Sequence, residues 1–110
     1  MSRRITRADI AVQVAMLESY ARSVKLIDPT DSLRVIHSGS GIVSLAVAHA
    51  DSSGLSTFAP LGAGGVLGTT AREAFSAAHV MQETLWNTCQ ALGIQTTYPT
   101  EKIAQIRGEK

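Results

Sequence analysis

Cys89 is the only cysteine in the chain, so no internal disulfide can form and nothing points to an oxidising compartment. Aromatic residues are scarce, with one Trp, two Tyr and two Phe among 110 residues. The core is therefore expected to be built from Ala, Val, Leu and Ile. An excess of one charge is missing as well. Ten Lys and Arg against nine Asp and Glu leave a formal net charge of +1. That argues against a domain whose main work is nonspecific nucleic-acid binding, which needs a concentrated basic surface. No run approaches the roughly 20 apolar residues of a membrane span. The basic start Met1-Ser2-Arg3-Arg4 is not followed by the continuous apolar region of a secretory signal. A soluble, cytoplasmic protein is expected, with no membrane partner.

With 45% hydrophobic and 17% charged residues, the composition is that of a globular chain. Its length suits one domain over residues 1–110, with 1–5 and 108–110 expected to fray. In residues 6 to 27, Ile10, Val14, Leu17, Ala21 and Val24 recur at helical spacing and form an apolar stripe. Thr6 is the expected N-cap, with Asp9 in the first turn and Arg22 and Lys25 near the other end. The helix should stop at Asp28-Pro29, because proline disfavours helical geometry in the residue before it.

Three extended segments follow, at 33–38, 42–50 and 55–61, separated by Gly39-Ser40-Gly41 and Asp51-Ser52-Ser53-Gly54. Both breaks have hairpin chemistry. In the second strand Val43, Leu45 and Val47 share one strongly apolar face, opposite Ser44, Ala46 and Ala48. Pro60 places the third strand at an edge or ends it. A second helix is expected over 70–92, opened by a capping box from Thr70 to Glu73 and closed at Gly93. The tail breaks at Tyr98-Pro99, and Thr100 is expected to cap a short helix through Arg107. The economical fold is α+β: an N-terminal helix, a three-stranded antiparallel meander, a long second helix and a short tail, in a two-layer sandwich. The far half of the second helix carries more apolar surface than such short strands can cover. Val80, Leu85 and Trp86 are therefore the expected partner or dimer surface, with a homodimer preferred.

LGAGGVLGTTAREAF, residues 61–75, sets four glycines within seven residues before a helix start. Gly64, Gly65, Gly68, Thr69 and Thr70 are the residues that would meet an anion there. A dinucleotide fold needs a second parallel strand ending in an acidic residue, and the segment after Gly93 supplies none. A P-loop needs a lysine that Gly68-Thr69-Thr70 lacks. The glycines are thus expected to give a flexible strand-to-helix connection. Arg3, Arg4 and Arg7 form a small basic patch that would carry any nucleic-acid contact, although nucleic acid is the less favoured partner. His37 and His49 sit near hairpin ends and His79 beside the apolar stripe, without the ligand spacing of a metal centre. Cys89 falls within that stripe, where cysteine behaves as a small buried hydrophobe. With no G-x-S-x-G elbow and no clustered carboxylates, the chain is expected to be neither an enzyme nor dependent on a cofactor or metal.

Two resemblances attach to these motifs. The helix, three strands, helix order resembles the double-stranded-RNA-binding domain, whose second helix opens with a lysine cluster. Here that helix opens Thr69-Thr70-Ala71-Arg72-Glu73, with one arginine. The run from Leu33 to Leu92, with GSG at 39–41, ADSSG at 50–54 and GTTAREAF at the helix start, resembles small accessory proteins of actinobacteriophages. That resemblance implies a non-enzymatic protein-binding module, made in the host cytoplasm and acting on a host or phage protein.

Overall fold

The computed structural model describes residues 4–50, 54–61 and 65–108. Helix α1 runs Arg7–Ser23. Its cap is a reciprocal box: the Thr6 hydroxyl accepts the Asp9 amide at 3.2 Å, and the Asp9 carboxylate accepts the Thr6 amide at 2.8 Å. The helix ends well before the Asp28-Pro29 boundary expected from proline. Lys25 takes a left-handed conformation at φ 66°, and the Leu26 amide reaches back to the Ala21 carbonyl at 2.9 Å. That closure swings Ile27 into the core. No glycine marks the turn, so the sequence carries no signal for it.

Strands β1 (Ser32–His37) and β2 (Val43–Ala48) pair antiparallel, with Leu33 opposite Val47, Val35 opposite Leu45 and His37 opposite Val43. The third strand departs from expectation. β3 covers only Leu55–Thr57, opposite Ala46 to Ala48. Phe58 then turns inward to become one of the largest fully buried side chains, and a short 3-10 turn follows at Ala59–Leu61. The same edge of β2 is taken up again by β4 (Val66–Gly68), which pairs with Val43 and Ser44. Part of the glycine-rich segment is therefore strand, and two of its glycines are not slack. Gly65 has φ +60°, and a β-carbon there would stand 2.4 Å from the Leu45 carbonyl oxygen. Its own carbonyl accepts the Leu45 amide at 2.8 Å. At Gly68 a β-carbon would meet the Ala74 nitrogen at 2.5 Å, so β4 can abut the next helix only without a side chain.

Helix α2 runs Ala71–Leu92 and closes at Gly93 in a left-handed cap at φ 72°. Its opening is shifted from the expected box. Thr70 Oγ1 accepts the Glu73 amide, but the Glu73 carboxylate reaches one residue further back, to the amide and hydroxyl of Thr69. Ala74 and Ala78 lie in the common core with Ile10, Val14, Leu17 and Ala21 of α1. The sheet contributes Leu33, Val43, Leu45, Val47 and Leu67 to the same cluster. Alanines at the helix contact allow close approach, and burial of this aliphatic set supplies the main stabilisation at about 25 cal/mol per Å². On the opposite face of the sheet Ile36 and Val66 are exposed.

The tail forms α3 (Thr100–Arg107). Thr100 is its first helical residue rather than its cap; the cap position is Pro99, which offers no side-chain bond. Ile103 packs on Val12 and Ala15 of α1. Glu18, 2% exposed, ties these parts together. Its carboxylate accepts the Leu33 amide at 2.7 Å and the Lys102 ammonium at 2.7 Å, with the Arg22 guanidinium at 3.4 Å. Because α3 covers α1, it leaves Val80, Trp86 and Leu92 of α2 exposed. No helix among the described residues is long and apolar enough to cross a membrane.

Candidate functional site

Both helices begin at the same end of the sheet, beside the β1–β2 turn. Thr6 and Thr70 are extended cap residues, so the first turn of each helix opens toward the hairpin. The hairpin is held by the Ser38 amide on the Ile42 carbonyl at 2.9 Å, and Gly41 takes φ +94° in the turn. These three parts enclose an open cleft of about 650 Å³. Arg4, Arg7 and Thr6 line one side, Thr69, Thr70 and Ala71 another, and His37, Ser38 and Gly41 the third, over a floor of Ile10 and Val43. Two groups of residues that the sequence suggested separately, the arginine patch and the end of the glycine-rich segment, thus face one space.

The members of those groups do not contribute equally. Arg4 and Arg7 line the cleft and, among the described residues, form no ion pair. Arg3 and Gly64 lie outside the described residues. Gly65 and Gly68 are absent from the cleft wall, since they serve the contacts of β4 with β2 and α2. Thr69 lines it, but its amide and hydroxyl both donate to Glu73, so neither is offered to an anion. Thr70 and Ala71 remain, together with the first amides of each helix, which have no intrahelical acceptor. In the sequence His37 stands only as a strand end and Gly41 only as part of a hairpin break, with nothing that marks them or Ser38 as lining a cleft.

Electrostatics at the cleft are mixed but ordered. The two helix starts carry partial positive charge. His37 is held below the usual imidazole pKa, first by burial and then by the Arg7 guanidinium. Glu73 is held below the usual carboxylate range, first by the Thr69 hydroxyl and then by the Thr69 amide. Asp9 and Glu73 are each tied back to a threonine of their own helix cap. The arrangement can take an anionic group between Arg4, Arg7 and the amide ends of α1 and α2.

The expected partner surface is divided. Val80 and Leu85 line an apolar groove of about 190 Å³ with Leu26, Phe58, Pro60 and Met81. Trp86 opens on another side, in a polar recess with Tyr20, Gln82, Glu83 and Asn87. His79 bonds Gln13 at 3.1 Å and Glu83 at 2.9 Å and stacks on Phe75. It serves as a polar link between the helices. Cys89 is fully buried. No group of three or more potential metal ligands occurs among the described residues. No family model matches this sequence, and no curated protein or solved structure matches it either.

Proposed function

We propose that the protein is a small binding module whose cleft takes a phosphate group, either free or on a nucleotide or nucleic-acid backbone. One observation carries the reading: Arg4, Arg7 and both helix starts converge on the same cleft. Guanidinium groups bond phosphate through paired N–H donors, and helix amides add oriented positive dipoles. The proposed role is to hold the ligand; Arg4, Arg7, Thr70 and Ala71 carry the affinity, and none of them serves as a nucleophile. Calorimetry at low salt with inorganic phosphate, a mononucleotide, a single-stranded oligonucleotide and an RNA duplex tests it and separates the sources. Binding that is lost in the Arg4→Ala, Arg7→Ala double variant supports the reading. Absence of heat with all four ligands, or binding unchanged in the variant, refutes it.

A second reading rests on the apolar groove. Val80 is 59% exposed and Leu26 45% exposed, and both border the groove that holds Leu85. Unpartnered aliphatic side chains of this size suit a protein contact. A second copy of the chain is the simplest occupant, since symmetric dimers are the commonest assemblies. The likeness to actinobacteriophage accessory proteins extends this reading to a host or phage protein in the host cytoplasm. Light scattering distinguishes the two occupants. A dimer weakened by Val80→Asp supports self-association, whereas a monomer at high concentration removes it.

A further inference from the structure

At the end of the sheet away from the cleft, three side chains from different parts of the chain meet in series. Asp31 precedes β1, His49 follows β2 and Ser56 lies in β3. His49 Nδ1 stands 3.0 Å from Asp31 Oδ1, and His49 Nε2 stands 2.6 Å from Ser56 Oγ. The carboxylate is almost wholly buried, with its side chain 8% exposed, while the imidazole is 31% exposed. Asp31 is fixed in turn by the Asp28 amide, which donates to its second oxygen at 3.3 Å. We propose that Asp31, His49 and Ser56 form an acyl-transfer site in which Ser56 is the nucleophile.

The order of contacts is the one this chemistry requires. A buried carboxylate on Nδ1 fixes the tautomer that leaves Nε2 free to accept the serine proton. The sheet supplies the alignment: Asp31 and His49 lie just beyond the paired strand ends Ser32 and Ala48, and Ser56 stands opposite Val47, two residues before His49. It also supplies an oxyanion donor. The Leu45 amide bonds toward the β3–β4 edge, so Leu45, and by antiparallel alternation Val47, hydrogen-bond in that direction. Ser56 pairs with Val47, and the amide of Thr57 therefore points off the open edge of the sheet. It stands one residue beyond the nucleophile, where it can meet a developing oxyanion.

The substrate class is a small activated ester. Ser56 Oγ forms a bond to the acyl carbon, and its proton passes to His49 Nε2. The tetrahedral adduct collapses with loss of the alcohol, which takes that proton. Water, deprotonated by the same imidazole, then adds to the acyl carbon, and collapse releases the acid and the serine. The phosphate-binding reading does not use these residues and stands or falls separately.

Diisopropyl fluorophosphate tests the proposal, since Ser56 Oγ would bond to phosphorus as fluoride leaves. Intact mass and peptide mapping should show one diisopropylphosphoryl group, on Ser56. His49→Ala should slow labelling at least about 100-fold, the usual contribution of a positioned base, and Ser56→Ala should abolish it. Circular dichroism melts check that each variant is folded. Should a variant unfold, the native protein still decides through Ser38 and Ser40, whose hydroxyls bond each other without a histidine. Labelling of Ser56 well above those two supports the site. No labelling of the native protein, or equal labelling of all three serines, overturns it, and the cluster is then only a tie between strands.

Discussion

Replacing Gly65 with alanine is the sharpest perturbation of the fold that supports the cleft. The residue holds φ +60°, where an L side chain costs about 1–2 kcal/mol. Its β-carbon would stand 2.4 Å from the Leu45 carbonyl oxygen, so the backbone of β2 or of residue 65 must move. Movement endangers the bond from the Leu45 amide to the Gly65 carbonyl, now 2.8 Å long, which contributes about 1 kcal/mol. Against this, alanine restricts the unfolded chain and returns about 0.4–1 kcal/mol. The net expectation is a loss of about 2 kcal/mol, or roughly 10 °C in Tm for a domain of this size. Gly39→Ala is the control, because a β-carbon there meets nothing within 4 Å and φ is ordinary. It should change stability by less than about 0.5 kcal/mol. Urea and thermal unfolding of both variants measure the difference. If Gly65→Ala were as stable as Gly39→Ala, the glycine would be slack and the reading of β4 wrong.

Other perturbations separate the remaining parts of the account. Glu18→Ala orphans the buried Leu33 amide and removes the anchor for Lys102, so it should cost about 2–4 kcal/mol by urea unfolding. Glu18→Gln should cost less, because an acceptor for Leu33 remains. His37 has a lowered pKa in the folded state, so the unfolded chain takes up the proton first as pH falls. Its contribution is therefore neutral above the ordinary value of 6.5, and stability declines as pH drops below it. The pH 7.5 to 5.5 difference in urea midpoint should shrink in His37→Gln, and an unchanged difference would remove His37 from the explanation. Glu73 acts in the same direction at lower pH: its lowered pKa gives stability above 4.5 that is lost in acid, and Thr69→Val should reduce that loss.

Much of the architecture was legible because local chemistry and periodicity agreed. Thr6 with Asp9, the apolar series from Ile10 to Ala21, and the span of the second helix from its Thr70 cap to Gly93 follow from residue type and spacing, whereas the Glu73 carboxylate bonds Thr69 and so departs from the expected box. The failures share a physical origin in tertiary demand. Lys25 adopts a glycine-like conformation because Ile27 has to enter the core, and Phe58 leaves the third strand for the same reason. β4 was hidden because glycine-rich sequence reads as loop, whereas Gly65 and Gly68 are required by close backbone approach. The cleft was legible only in pieces. Arg4 and Arg7 stood out as charge and Thr70 as a cap, but their meeting with His37 depends on both helices starting at one end of the sheet. The Asp31, His49 and Ser56 series had no sequence signature at all, since cross-strand register alone aligns it.

The most direct measurement of the proposed role is an amide-resolved NMR titration with inorganic phosphate at low ionic strength. Phosphate bound in the cleft should give saturable shifts concentrated at Arg7, Ser38 to Gly41, Thr70 and Ala71, and these should be lost in the Arg4→Ala, Arg7→Ala double variant. Shifts centred elsewhere, no saturation, or a response that survives the double variant would contradict the proposed role.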